Sequence, residues 1–321
     1  MSTTSQTHHA HSYYDQKDEF WQKYRKGRPV PPPSFYSKVL DYHREHGGHF
    51  GTIHDVGAGP GIHTAKISEP FEKVLVSDIA ESNVEMAQSH LKGYDKPITF
   101  HTSKLEDADW ITRESVDLVF AATVMHLTDL DKAMDAFNRQ LKPGGTLAIA
   151  VMGYSAWFNK KLQDAWGGMF RKACDIHWIQ PRLKYDEATR KTSMSVIACS
   201  ASEYDAVPLP TSFLEEGALR YKVNFPDGWS WYKAHISDEN EKYVPRWSQV
   251  GETDKVVHEE EAGWDIEVDF AGLKEIADSF PTMTDREKWG EYWQVFDEIF
   301  KDDGKVKGVW PHVMLLATKK K

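Results

Sequence analysis

The chain has 321 residues, and its 40% hydrophobic and 27% charged side chains are typical of a globular protein with room for a sizeable core. Its formal net charge of -10 opposes the phosphate backbone of nucleic acids, so we expect no nucleic-acid partner. The two cysteines form neither a disulfide framework nor a zinc pattern. With no secretory signal and no membrane-spanning apolar run, we expect a cytoplasmic protein without a metal or a membrane partner.

Two helices are predicted before the first strand. The first spans about 15–25, and the second follows Ser34, which is a plausible N-cap. Their apolar positions are Phe20, Trp21 and Tyr24 in the first and Phe35, Val39, Leu40 and Tyr42 in the second. We therefore expect residues 1–48 to form a tail and two helices that act as a lid.

Five strands alternate with connecting segments in the next hundred residues. The predicted strands are 52–56, 74–78, 98–102, 116–121 and 146–151. Between the last two, a helix carries Leu130, Ala133, Met134, Phe137 and Leu141 on one face, and Lys142-Pro143-Gly144-Gly145 ends it. Helical connections of this kind produce a parallel sheet that is covered on both faces. The predicted fold class is therefore α/β, with the core of the sheet in residues 49–151.

After Val151 the pattern loosens and strands become hard to place. Residues 203–217 and 248–265 have the composition of polar loops. Thr284 and Glu287 have the spacing of a capping box at the start of a helix. That helix has an apolar stripe of Trp289, Trp293, Phe296 and Phe300, and a strand-like run closes the chain. We interpret residues 152–283 as a helical and loop cap over the pocket, residues 284–321 as a final helix and strand, and residues 1–321 as a single domain.

A glycine-rich loop lies directly between the first strand and the next helix. It runs His54-Asp55-Val56-Gly57-Ala58-Gly59-Pro60-Gly61. Glycines allow the sharp turn and the close approach of backbone to a ligand that such a loop needs. The dinucleotide fingerprint requires a small residue where Ile62 stands, so a nicotinamide cofactor is the less favoured of two cofactor classes.

Further candidate residues follow the second, third and fourth strands. Asp78 and Ile79 come 21 and 22 positions after Gly57, where a carboxylate can accept hydrogen bonds from ribose hydroxyls. Ser103 and Lys104 follow the third strand, where such folds hold an adenine. Residues 121–123, including Ala121, follow the fourth strand, where the other end of the cofactor would lie.

With these residues the chain resembles the class I S-adenosylmethionine-dependent methyltransferases, and within them it is similar to fungal trans-aconitate methyltransferase-like enzymes. The matching residues are Tyr24, Arg28-Pro29, Asp55 to Gly61, Asp78, Leu141 to Gly145 and Val309-Trp310-Pro311. The resemblance implies a Rossmann-like, doubly wound, mostly parallel sheet of seven strands with S-adenosylmethionine as cofactor. It also implies that Tyr24 and Arg28 help to close the cofactor site, that Gly57, Ala58 and Gly59 line it, and that Asp78 binds ribose.

The chain departs from that family at two positions. Ser103 stands where the family often has an acidic residue, and Leu127 follows His126 where tryptophan is common. The first departure suggests that backbone groups contribute more to adenine recognition. Residues 152–270 do not align, so the identity of the substrate does not follow from the resemblance.

The acceptor site is less specified than the cofactor site. His126 is the candidate catalytic base, and its alternative role is that of a histidine hydrogen-bonded for structure. An acceptor carboxylate would need no base, since its ordinary pKa is about 4. Trp157 and Arg182 are candidate substrate residues, the first for a planar or apolar acceptor and the second for an acid.

The function that we expect from these residues is methyl transfer to an oxygen, a carboxylate or a hydroxyl, of a small metabolite such as a fungal secondary metabolite or an organic acid. The alternatives are a cofactor-binding pseudoenzyme, a cyclase on the same fold, and a protein or RNA methyltransferase. The oligomeric state does not follow from the sequence.

Overall fold

The computed structural model describes residues 18–244 and 246–321. An eight-stranded sheet in the order β3-β2-β1-β4-β5-β11-β7-β8 is its central feature, and β6, β10 and β9 form a smaller antiparallel sheet. The strands are β1 (Thr52–Val56), β2 (Lys73–Asp78), β3 (Ile98–Thr102), β4 (Val116–Ala122), β5 (Leu141–Met152), β6 (Ala156–Trp157), β7 (Leu219–Val223), β8 (Lys255–Glu259), β9 (Asp265–Val268), β10 (Val306–Val309) and β11 (His312–Thr318).

Strands β1 to β5 are parallel, whereas β11 lies antiparallel between β5 and β7. This arrangement confirms the α/β, Rossmann-like fold class. The large sheet has one strand more than the seven expected, because β8 is added in parallel outside β7. The part of the chain that the structure describes has no helix long and apolar enough to cross a membrane.

Eleven α-helices are described, and they accompany the sheets along the whole chain. They are α1 (Asp18–Gly27), α2 (Pro33–Glu45), α3 (Thr64–Ile67), α4 (Glu81–His90), α5 (Leu130–Gln140), α6 (Lys160–Cys174), α7 (Glu187–Ser193), α8 (Ser195–Ala201), α9 (Trp231–His235), α10 (Phe270–Asp278) and α11 (Gly290–Asp303). The tail expected before residue 18 lies outside the described residues.

Two apolar cores cover the two faces of the large sheet. On β4, Leu118 and Phe120 belong to one core while Val119 and Ala121 belong to the other. Successive side chains of a strand point to opposite faces, so this alternation means that both faces of β4 are buried. The burial explains why the central strands are continuous apolar runs rather than alternating ones.

The five strands predicted in the first half are confirmed, and the main differences are at the ends of elements. Helix α5 ends at Gln140 and β5 begins at Leu141, so Lys142 to Gly145 belong to the strand. Leu141 already pairs with Val116, and a shift in register follows before Leu118. The turn residues therefore form an irregular start to the strand rather than a separate loop.

Two predicted helix starts are wrong. Helix α2 begins at Pro33, with Pro32 as its N-cap, so Ser34 lies inside the helix. Proline is favoured at the first helical position because it has no N–H to leave unsatisfied. The Thr284 hydroxyl donates to the Pro281 carbonyl instead of capping, and α11 begins only at Gly290 after a short 3-10 turn.

The sequence did not predict the strands that lie between residues 152 and 283. The segment 248–265, predicted to be a loop, contains β8, which pairs with β7 through residues 255–259. Strand β8 lies at the edge of the sheet, and its first two residues, Lys255 and Val256, are exposed. An edge strand with exposed side chains lacks the apolar run by which the buried strands were recognised.

Candidate functional site

The glycine loop turns sharply at the carboxyl end of β1. Gly57 has a φ of +64°, and a Cβ at this position would lie 2.5 Å from Cγ2 of Val124. Gly59 has a φ of +55°, and a Cβ there would lie 3.4 Å from the Trp21 ring. Both positions favour glycine because of the left-handed backbone, and at Gly57 a side chain would also clash with Val124. The loop backbone is therefore left open on its ligand-facing side.

Asp78 ties this loop to the end of β2. Its carboxylate accepts hydrogen bonds from the Gly59 N–H at 2.8 Å, the Ala80 N–H at 2.9 Å and the Asn83 side-chain amide at 3.0 Å. The adjacent Ala58 N–H donates to the Ser77 carbonyl at 3.0 Å. These bonds hold a largely buried carboxylate beside the glycine loop at the carboxyl edge of the sheet.

A cavity, which we call the loop cavity, opens above this edge. Its walls include most of the residues expected to bind the cofactor, namely Tyr24, Gly57, Ala58, Gly59, Asp78, Ile79, Ser103 and Lys104. Ala122 and Thr123, from the segment 121–123 expected at the other end of the cofactor, also line it. Its remaining lining residues, which the sequence did not indicate for this role, are Trp21, Pro60, Ile62, His63, Ala80, Asn83, Leu105, Glu106, Val124, Leu127 and Thr128.

The loop cavity fits a ligand with polar groups. Oγ of Ser103 and Oγ1 of Thr123 are buried and have no hydrogen-bond partner within residues 18–244 and 246–321. Buried hydroxyls without partners are uncommon, because no hydrogen bond offsets the free energy that the group loses when it leaves water. Together with the glycine cradle, these hydroxyls suit the nucleoside and amino-acid groups of S-adenosylmethionine.

Two of the predicted cofactor residues lie behind the cavity wall. Ala121 is fully buried in an apolar core, and its neighbours Ala122 and Thr123 line the cavity instead. Asp55 is also buried, and its carboxylate accepts a hydrogen bond from the Thr64 hydroxyl at 2.6 Å. Asp55 therefore holds the start of α3 rather than contacting the cavity.

The environment of Asp55 disfavours its charged form. Burial raises the pKa of the Asp55 carboxyl to about 7, the charge of Asp78 adds to this rise, and the hydrogen bond from Thr64 opposes it. Asp55, at the start of the glycine loop, is therefore a carboxyl group whose protonation changes near neutral pH.

Arg28 lies just after α1 and outside the loop cavity. Its guanidinium donates to the Gly153 carbonyl at 3.2 Å and packs 3.8 Å from the centroid of the Phe280 ring. Tyr24 and Arg28 both line a second cavity of about 490 Å³, beside the proline-rich segment 29–33. We call this space the hinge cavity, and it shares Tyr24, Ile62 and His63 with the loop cavity.

His126 lies in a 3-10 turn, Met125–Leu127, just past β4. Its Nδ1 is 2.8 Å from the hydroxyl of Tyr204, which is fully buried. Burial lowers the pKa of the His126 imidazole to about 4, so the ring is neutral at pH 7. A neutral imidazole beside a cavity can accept a proton.

A third cavity, the cap cavity, lies against His126. It is lined by His126, Leu127, Tyr154, Phe170, Ala173, Cys174, Trp178, Val196, Ile197, Ser200, Phe280, Pro281 and Thr282. These lining residues include four aromatic side chains besides the histidine and no lysine, arginine, aspartate or glutamate. Leu127 lines both the cap cavity and the loop cavity, so the two spaces adjoin at this residue.

The two predicted substrate residues do not line these three cavities. Trp157 is buried in the main core, where its ring packs edge-on against Trp166 at 5.9 Å. Arg182 donates to the backbone carbonyls of residues 177, 178 and 193, which ties together the turns after α6. The aromatic residues Tyr154 and Phe280, which the sequence did not indicate, line the cap cavity instead.

Comparisons with known proteins agree with this geometry. A family model described as a methyltransferase domain matches residues 54–149. Methyltransferase AacuQ of Aspergillus aculeatus is 35% identical over 315 residues, which cover 96% of this chain and 95% of that protein. Methyltransferase tpcM of Aspergillus fumigatus is 35% identical over 302 residues, 94% of this chain and 92% of that protein.

Among solved structures, a S-adenosylmethionine-dependent methyltransferase from Clostridium acetobutylicum aligns with a TM-score of 0.35 and 18% identity. The alignment covers 39% of this chain and 52% of that one.

Proposed function

Because the chain belongs to the class I S-adenosylmethionine-dependent methyltransferases, we propose that it methylates an oxygen, a carboxylate or a hydroxyl, of a small metabolite. S-adenosylmethionine is the cofactor. The observation that carries the proposal is the contact of the cap cavity with the loop cavity at Leu127. An acceptor in the first space and a methyl donor in the second would meet beside His126.

The walls of the cap cavity suit a planar, largely apolar acceptor. Four of its lining side chains, Tyr154, Phe170, Trp178 and Phe280, are aromatic. Flat aromatic walls favour a flat ligand, and a fungal secondary metabolite with an aromatic ring would fit this description. We propose that Tyr154, Phe170, Trp178 and Phe280 take the substrate role expected of Trp157.

In the loop cavity, Asp78 is proposed to accept hydrogen bonds from the ribose, and Ser103 to contact the adenine. The bound cofactor supplies a methyl group that is already activated by a positively charged sulfur. The residues of the chain therefore need to align the acceptor oxygen and to exclude water. Alignment of this kind lowers a reaction barrier by about 7–11 kcal/mol.

The role of His126 depends on the acceptor. A hydroxyl must lose its proton, and the neutral imidazole of His126 is the base that lines the cap cavity. A carboxylate is already ionised and needs only a balancing charge. Arg28, which packs on the outer side of Phe280, is proposed to balance a carboxylate of the cofactor or of the acceptor.

The rival functions remain a cofactor-binding pseudoenzyme, a cyclase, and a protein or RNA methyltransferase. The aromatic, uncharged lining of the cap cavity favours a small molecule over a polymer. We also propose that residues 1–321 form a single domain and that the protein acts in the cytoplasm.

Calorimetric titration with S-adenosylmethionine, S-adenosylhomocysteine and NADH tests the cofactor, and incubation with aromatic carboxylic acids and phenols tests the acceptor. We expect micromolar binding of the two sulfur compounds alone and the formation of methyl esters or methyl ethers, identified by mass spectrometry. Binding without turnover on any acceptor would favour the pseudoenzyme. Methylation at nitrogen or carbon would contradict the proposed oxygen acceptor.

A further inference from the structure

Two consecutive residues of the cap, Glu203 and Tyr204, adopt a left-handed backbone. Their φ angles are +57° and +59°. Residues with a Cβ disfavour this conformation, and it persists only where surrounding contacts impose it. Such residues are often found at functional sites, so the contacts that hold this turn and the group that it presents are informative.

Side chains from β7 and the backbone of α9 hold the turn. The Glu203 carboxylate accepts hydrogen bonds from the Trp231 N–H at 3.1 Å and from the Lys222 ammonium at 2.9 Å. The Tyr204 carbonyl accepts a hydrogen bond from the Arg220 guanidinium at 3.3 Å. Arg220 and Lys222 are two residues apart on β7, so this one strand supports both residues of the turn.

Arg220 is itself held by a buried ion pair. Its side chain is fully buried, and its Nε donates to the Asp254 carboxylate at 2.6 Å. Asp254 directly precedes β8, the strand that is additional to the expected seven. The outer end of the sheet therefore anchors the strained turn in one position.

The turn presents the Tyr204 hydroxyl to His126. The oxygen lies 2.8 Å from Nδ1, whereas Nε2 has no hydrogen-bond partner in the part of the chain that the structure describes. Since one ring nitrogen is occupied by Tyr204, Nε2 is the nitrogen left for the cap cavity. In a neutral histidine, the bond made by one nitrogen sets the protonation of the other.

We propose that Tyr204 is a positioning residue whose hydroxyl accepts the Nδ1–H of His126 and thereby keeps Nε2 unprotonated toward the acceptor. This inference rests on the proposed function, and in particular on an acceptor that carries a hydroxyl. The acceptor oxygen forms a bond to the methyl carbon while its proton passes to Nε2. The carbon–sulfur bond breaks, and its electron pair stays on sulfur, so the positive charge moves from sulfur to the imidazolium.

The direct test is the protonation state of the His126 ring in Tyr204→Phe, read from two-bond proton–nitrogen NMR correlations. His126→Gln identifies the signals by their loss. We expect the wild-type ring to carry its proton on Nδ1 and the variant to move it wholly or partly to Nε2. A wild-type proton on Nε2, or an unchanged ring in Tyr204→Phe, would overturn the proposal.

Tyr42→Phe is the matched control, because it removes another buried tyrosine hydroxyl, which lies 3.2 Å from Thr318 Oγ1 and away from the three cavities. The control should leave the His126 signals unchanged. This comparison separates loss of the His126 contact from general loss of a buried hydroxyl.

The rates of methyl transfer to a series of phenols that differ in pKa give a second test of the role of Tyr204. We expect Tyr204→Phe to lower kcat by about 10–100-fold for the least acidic phenol, with a smaller loss for nitrophenol and little change in KM. An equal loss for all phenols would indicate a merely structural role and would contradict the proposal. A wild-type enzyme that binds the cofactor but methylates neither phenols nor acids would instead contradict the proposed function, and the NMR result would still decide the role of Tyr204.

Discussion

Two regions of the molecule are stabilised by different kinds of contact. One is the glycine-loop region, residues 49–152, and the other is the region that follows it, residues 153–321, which includes the cap. In the first half, the conformation of Gly57 and the hydrogen bonds of Asp78 involve neighbours along the chain or on adjacent parallel strands. In the second half, Arg220 connects Tyr204, Val207, Gln249 and Asp254. The floor of the loop cavity is therefore set by one turn between adjacent parallel strands, whereas the walls of the cap depend on one buried cation that ties several loops together.

The largest effect on folding stability is expected when the cap loses its buried cation. Arg220→Met leaves the Asp254 carboxylate buried without its partner and should reduce the free energy of unfolding by about 3–5 kcal/mol. Lys161→Met breaks an ion pair of which both side chains are largely exposed and should cost less than about 1 kcal/mol. Urea unfolding measures both, and equal losses would contradict a special contribution of the buried Arg220–Asp254 pair to the stability of the cap.

Gly57→Ala should have the next largest effect, now on the cofactor floor. The left-handed backbone costs about 1–2 kcal/mol, and the contact with Val124 adds about 1–3 kcal/mol of repacking. Cofactor affinity measured by calorimetry should fall by at least about 30-fold. Gly93→Ala, with a φ of +87° and open space around the Cβ, has similar strain without the clash. Affinity lost equally in both variants would rule out a specific role for the Gly57 cradle.

Asp78→Ala tests the carboxylate that lies beside the same loop. If Asp78 binds ribose, the variant should weaken S-adenosylmethionine binding by about 1.5–3 kcal/mol, or roughly 10–150-fold. Asp135→Ala removes an exposed acid from α5 and should leave the affinity unchanged. A calorimetric affinity equal to that of the wild type would remove Asp78 from the proposed cofactor contacts.

Asp55→Asn should show a smaller, pH-dependent effect. The folded-state pKa of about 7 lies above the ordinary value of 3.8, so folding favours the protonated acid and wild-type stability falls as pH rises between these values. The asparagine variant should therefore gain about 2 kcal/mol relative to the wild type between pH 5 and pH 8. Thermal or urea unfolding at the two pH values measures this gain, and parallel pH profiles would contradict the raised pKa.

The sequence was most informative where one side chain or one short segment decides the structure. Residues 52–56 and 98–102 form strands with the bounds predicted, and the glycine loop lies between β1 and α3 as expected. Ala121 was misplaced by one residue, because the cavity lies at the carboxyl end of β4 and its lining begins with the last residue of the strand, Ala122. An error of one position along a strand is enough to turn a cavity residue into a core residue.

The acceptor site could not be assembled from the sequence in the same way. Tyr204 approaches His126 from 78 positions away, through a turn that no glycine marks. Trp157 and Tyr154 differ by three positions and both are aromatic, yet only the second faces the cap cavity. Their different roles arise from packing against α6 and the segment after α10, which no local pattern in the chain encodes.

Helix α1 and the residue that follows it connect the loop cavity with the cap. Trp21 packs on Gly59 beside the loop cavity, and Arg28, directly after the helix, packs on Phe280 beside the cap cavity. Gly27 lies so close to α10 that a Cβ would be 2.1 Å from the Glu275 carbonyl oxygen, so the helix docks as a rigid piece. Helix α1 is therefore a strut between the wall of the loop cavity and the cap, and its displacement would disturb the Trp21 wall and the α10 contact together.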